Sequence, residues 1–192
     1  MKFRAPARIA FTALMLTISG SAAAHPFHPI GAGFTAGFVH PFAGFDHLLA
    51  MVAVGLWAAQ FGGRRLWAIP LAFVTAMLAG GALGFAGLTL PLLEPVIAAS
   101  VLALGLLVVL RIRLHTTGVL LVAAFALFHG VAHGTELPAM AGALPYAAGF
   151  ALATGLLHLL GLVGGLRMHP AARWAGAPIA IAGCWMIVST VI

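Results

Sequence analysis

Two short stretches hold most of the groups in this chain that could do chemistry. The first reads His40-Pro41-Phe42-Ala43-Gly44-Phe45-Asp46-His47, and the second Phe128-His129-Gly130-Val131-Ala132-His133-Gly134-Thr135-Glu136. On a helix, His129 and His133 lie one turn apart and Glu136 lies almost one turn further, so all three stack on one face. A pair of histidines at that spacing brings two imidazole nitrogens to one point, a common way to hold a metal ion. His40 and His47 are close to two turns apart and share a face if the helix is regular, although Pro41 and Gly44 favour some irregularity. Four imidazoles with two carboxylates suit Ni2+, Co2+ or Zn2+ better than Cu+, which prefers thiolate and thioether ligands. Asp46 and Glu136 would neutralise a divalent cation, and any of the six can serve by orienting a histidine rather than touching metal.

The elements that position these groups must lie in lipid. Of 192 residues, 63% are hydrophobic and 6% charged. A soluble domain carries about 25% charged residues, so this chain could not cover a water-exposed surface. The expected fold is all-α, one domain of six transmembrane helices. The expected spans are 40–61, 67–87, 92–110, 117–136, 143–165 and 174–192, each near the length a bilayer core requires. The stretch 30–39 either extends the first helix or lies at the interface. Residues 1–24 read as a cleaved signal peptide. Lys2, Arg4 and Arg8 precede an apolar run from Ile9 to Ile18, and Ser21-Ala22-Ala23-Ala24 follows as the cleavage site. The mature domain would then be 25–192.

Every Lys and Arg beyond residue 24 falls in one of three alternate loops: Arg64 and Arg65, Arg111 and Arg113, Arg167 and Arg173. The positive-inside rule makes that side cytoplasmic and puts both mature ends outside, as the signal peptide also requires. The basic residues form short pairs between apolar runs and no stripe along one element, which argues against a nucleic-acid partner despite a net charge of +6. Cys184 is the only cysteine, so an intramolecular disulfide and a multi-cysteine metal site are excluded. Small residues four apart, Gly80 with Gly84 and Gly161 with Gly165, suit close helix packing and are assigned no chemistry.

Depth links the two motifs. Counting about 1.5 Å per residue, Asp46 and His47 lie roughly 9–10 Å below the outer surface. In a core about 30 Å thick, His129 and His133 lie about 12 and 6 Å below the same surface. The alternative to a metal site is a salt-bridge network holding two helices together. It is disfavoured because glycine and serine could pack those helices without burying charge. His158, in the fifth span, is read first as a packing residue needing one hydrogen-bond partner, with a place on an ion path as the alternative. Glu94 opens the third span as a cap or an entry residue. His25 and His28 would stand at the outer mouth after cleavage, as an ion-capture pair or a plain tail.

On these residues the chain resembles the HupE/UreJ hydrogenase and urease accessory proteins. The resemblance covers the whole chain. The family patterns are His-x5-Asp-His in the first span and Phe-His-Gly-x-Ala/Val-His-Gly-x-Glu in the fourth, and both are present without departure. The resemblance implies a secondary permease for nickel or cobalt in the bacterial inner membrane, supplying metalloenzyme assembly. It also implies that His40, Asp46, His47, His129, His133 and Glu136 bind the ion. The metal is then cargo, Ni2+ or Co2+ before Zn2+, with no permanently bound cofactor, and no enzyme activity is expected. Partners are the bilayer and the ion, and self-association stays open. Two other classes compete: an intramembrane metalloenzyme, which lacks its usual HExxH helix here, and a non-transporting accessory or sensor protein, whose loops are short for a partner surface.

Overall fold

The computed structural model describes residues 33–137, 142–168 and 170–191. The signal-peptide expectation, His25 and His28 lie outside the described residues. Within them the chain is all helical, with no strand. The elements are α1 (Phe34–Ala43), α2 (Phe45–Ala58), α3 (Arg65–Phe85), α4 (Leu93–Val109), α5 (Thr116–Thr135), α6 (Ala143–Arg167), a 3-10 turn (Ala171–Ala175) and α7 (Gly176–Val191). The helices α3, α5 and α6, and the stretch Ala171–Thr190, are long and apolar enough to cross a membrane, and α1 with α2 makes a fifth crossing if that bent pair is one span. Apolar side chains stand exposed along them, among them Leu71 of α3, Leu120 of α5, Leu160 of α6 and Ile181 of α7. Lipid is the solvent that makes such a surface stable.

The expected first span, 40–61, is not one regular helix. It breaks at Gly44, and α1 and α2 meet at a bend of 86°. Local chemistry permits the break. Pro41 lacks an N–H to donate within α1, and Gly44 takes an extended conformation, φ −94° and ψ 118°. Residues 34–43 therefore form a separate helix, which packs on α6 and does not prolong α2.

Small residues pair the other helices. A methyl on Gly130 or Gly134 of α5 would overlap the backbone of Met77 or Gly81 on α3, and Gly80 and Gly84 return the contact against Leu127 and Val131. These registers rise together, so α3 and α5 run parallel. Gly161 of α6 against Val52, and Gly165 one turn on against Leu56 and Ala59, set α2 parallel to α6. Such approach lets backbones gain dispersion contact where lipid supplies no hydrophobic drive. The four glycines singled out by spacing are all used this way.

The arginine-bearing loops gather at one end. Trp57 donates its indole N–H to the Ile112 carbonyl at 2.8 Å, and Gln60 donates to Val108 at 2.7 Å. Both bonds tie the end of α2 to the turn between α4 and α5. This is the basic end; the opposite, acidic end carries Glu94 and Glu136.

Candidate metal centre

The break at Gly44 builds the site. It ends α1 just after His40 and starts α2 just before Asp46, so two helix ends meet at one point. The Asp46 carboxylate sits in the first turn of α2, where the positive end of the helix dipole favours an anion. It accepts the backbone N–H of His47 at 2.8 Å and lies 3.1 Å from His47 Nδ1, off the line of a closed hydrogen bond. On the facing helix, His129 and His133 are buried at 0% and 5% exposure.

Imidazoles from both motifs converge. His47 lies 4.2 Å from His133 and 5.1 Å from His129 between ring centroids, and His40 lies 4.7 Å from His133. One nitrogen each of His40, His47 and His133 fall within 4.8 Å of one another. Nitrogens about 2.1 Å from one ion stand about 3–4 Å apart, so small ring rotations would close the triad on a cation. Glu136, at the C-cap of α5, has Oε2 3.9 Å from His40 Nε2 and is half exposed at the acidic end. All six residues singled out in the two motifs thus belong to one cluster. His40 and His47 reach it through the bend and not by sharing a helix face.

The cluster leaves buried nitrogens unsatisfied. Both nitrogens of His133 and Nδ1 of His129 have no hydrogen-bond partner among the described residues. An unpaired polar atom at such depth costs about 1–3 kcal/mol, and several at one point are what a cation would satisfy. The other nitrogen of His129 has a neighbour. Ser100 Oγ donates its one proton to the Ile97 carbonyl at 2.7 Å and lies 2.9 Å from His129 Nε2. The hydroxyl must therefore accept, so this network assigns the proton to Nε2 and leaves the Nδ1 lone pair free.

A family profile described as "HupE / UreJ protein" matches residues 13–186. The chain belongs to the HupE/UreJ family. It is also 48% identical over 162 aligned positions to "Protein HupE" of Rhizobium leguminosarum bv. viciae, covering 81% of this chain and 85% of that one. No solved structure matches it.

Against that family assignment, the remaining candidates separate. Glu94 is exposed in the first turn of α4, outside the histidine triad. His158 is 2% exposed, and neither of its nitrogens has a partner among the described residues, so the packing role expected of it lacks its hydrogen bond. Its ring meets Phe73 edge to face at 5.0 Å. Ser100, Tyr146 and Phe150 were not expected. Tyr146 and Phe150 wall the site beside His40, with centroids 5.9 and 5.8 Å away. Ser100 carried one weak sign, a lone hydroxyl in an apolar run.

Proposed function

We propose that this protein is a secondary permease that takes up a divalent transition-metal ion, Ni2+ or Co2+, for hydrogenase or urease maturation. One observation carries the reading: three histidine nitrogens within 4.8 Å of one another, at a broken helix inside an apolar bundle. Discontinuous helices in transporters present ion sites in this way, because a helix interrupted in lipid frees polar backbone and ends where a cargo can be held. The imidazole and carboxylate set supports Ni2+ or Co2+ over Cu+. His40, His47 and His133 hold the ion, His129 adds its free Nδ1, Asp46 orients His47 and balances charge, and Glu136 receives the ion at the acidic end. His25, His28 and Glu94 are assigned to its approach.

In this reading residues 1–24 are a cleaved signal peptide and 25–192 form the transport domain of the bacterial inner membrane. The bent α1–α2 pair and the apolar seventeen-residue α4 join the four longer crossings to make six spans. The basic end faces the cytoplasm and both mature ends lie outside. The protein catalyses no reaction and keeps no resident cofactor.

The test is flux. Purified protein in liposomes loaded with a metal-sensitive dye is expected to admit Ni2+ or Co2+ faster than empty liposomes, and His133→Ala is expected to reduce the rate to background. No flux of either ion, or normal flux through His129→Ala, would overturn the reading.

A further inference from the structure

The bundle repeats itself upside down. Gly80 and Gly84 of α3 lie against Leu127 and Val131 of α5, and Gly161 of α6 lies against Val52 of α2, with Gly165 one turn on against Ala59 and Leu56. Gly130 meets the Met77 carbonyl as Gly55 meets that of His158. In the third pair, Gly105 of α4 meets Ala180 of α7, and Gly183 meets Leu102. Helices α2, α3 and α4 therefore correspond to α5, α6 and α7. Their directions are opposed: His47 near the start of α2 touches His133 near the end of α5, and Trp57 near the end of α2 touches Gly118 near its start. This is the relation of inverted repeats, whose rocking about a shared axis gives alternating access.

Under that correspondence Met77 answers to His158 and Phe73 to Thr154. Two contacts obey it: Phe73 meets His158 at 5.0 Å, and Thr154 Oγ1 lies 3.9 Å from Met77 Sδ. All four side chains are at most 2% exposed. The pseudo-axis therefore passes between α3 and α6 at this crossing. The same Phe73 ring also lies 6.0 Å from His129, so it stands between the metal cluster and His158. Beyond it, His158 borders an apolar groove of about 470 Å³ that opens on the lipid-exposed side chains Leu71, Leu159 and Trp67.

We propose that Phe73 is the gate of the ion path, its ring separating the histidine cluster from His158, and that His158 is the next station for the ion. This rests on the transport reading. The ring has no group that replaces an ion's ligands, so a divalent cation cannot pass while Phe73 fills the crossing. Rocking the α3–α5 pair against the α2–α6 pair moves the ring aside. His158, buried without a hydrogen-bond partner among the described residues, then offers a nitrogen on the far side. Its counterpart across the axis, Met77, offers only a thioether, so the two halves are similar in packing and different in chemistry.

The experiment uses full-length protein in liposomes and a thiol reporter that does not depend on any cargo. In a Cys184→Ser background, His158→Cys is expected to react slowly with a polar thiol reagent added from the acidic end. Adding Phe73→Ala is expected to speed that reaction at least tenfold, with Phe73→Leu in between. In the wild-type background, Phe73→Ala is expected to retain Ni2+ binding within about threefold and raise Ni2+ leak, while His158→Ala retains binding and loses at least nine-tenths of the flux. Equal reactivity with and without Phe73, or wild-type flux in His158→Ala, overturns the proposal while leaving the permease reading intact. If the wild-type protein moves neither Ni2+ nor Co2+, the permease reading fails first and the gate falls with it.

Discussion

Ser100 has one hydroxyl proton and spends it on the Ile97 carbonyl, which makes it an acceptor toward His129. Removing that acceptor frees the imidazole to take the other tautomer and to put its proton where the lone pair is needed. Ser100→Ala is expected to weaken Ni2+ binding roughly 10–100-fold, the usual range for losing a partner that orients a metal ligand. Isothermal titration of the purified protein checks it, and a change under about twofold would show that the hydroxyl does not hold the ring. Gly44 is a second residue whose role is local. Its backbone angles suit any residue, but a methyl there would stand 2.9 Å from Asp46 Oδ1 and 3.2 Å from His47 Cδ2. Gly44→Ala should therefore lower ion affinity while the melting temperature stays close to that of the wild type.

At the scale of elements, the bundle depends on helix pairs brought together by glycine. Gly130 faces the Met77 carbonyl with no room for a Cβ, whereas Gly164 has nothing within 4 Å among the described residues. Gly130→Ala is expected to cost about 1–3 kcal/mol through overpacking. Gly164→Ala should cost nothing and can stabilise α6, since alanine favours a helix interior by about 1 kcal/mol over glycine. Thermal unfolding in detergent distinguishes the two, and equal effects would mean that the α3–α5 approach is looser than these contacts indicate. Because His129 and His133 ride on α5, the Gly130 substitution is also expected to shift the histidines and reduce binding.

For the whole molecule, a cation that binds only the folded bundle must stabilise it. Ni2+ at about 100 times its dissociation constant adds about 2.7 kcal/mol, seen as a raised melting temperature that a chelator reverses. His133→Ala is expected to abolish the shift, because both nitrogens of that ring are buried with no hydrogen-bond partner among the described residues. An undiminished shift in His133→Ala would place the binding elsewhere.

Composition and hydropathy sufficed for an all-helical chain with lipid-facing helices, because 6% charge leaves no other solvent. Spacing sufficed to single out both histidine motifs, since residues one turn apart must share a face wherever their helix lies. Most boundaries were legible to within a few residues: 117–136 was expected where Thr116–Thr135 is found, and 67–87 where Arg65–Phe85 is found. The first span was not, because a helix containing proline and glycine can bend or break, and tertiary packing decides between the two. Here α1 docks on α6, and the resulting 86° bend carries His40 to His133. Ser100, Phe73 and the inverted repeat were equally hidden. Their partners lie 29 or more residues away, at His129, His158 and the facing glycines, and no local period reports a contact across that distance. The sequence by itself determined which residues could bind a metal ion. Only the tertiary structure decided that they meet at one point, because that depends on where a broken helix turns and which helices close around it.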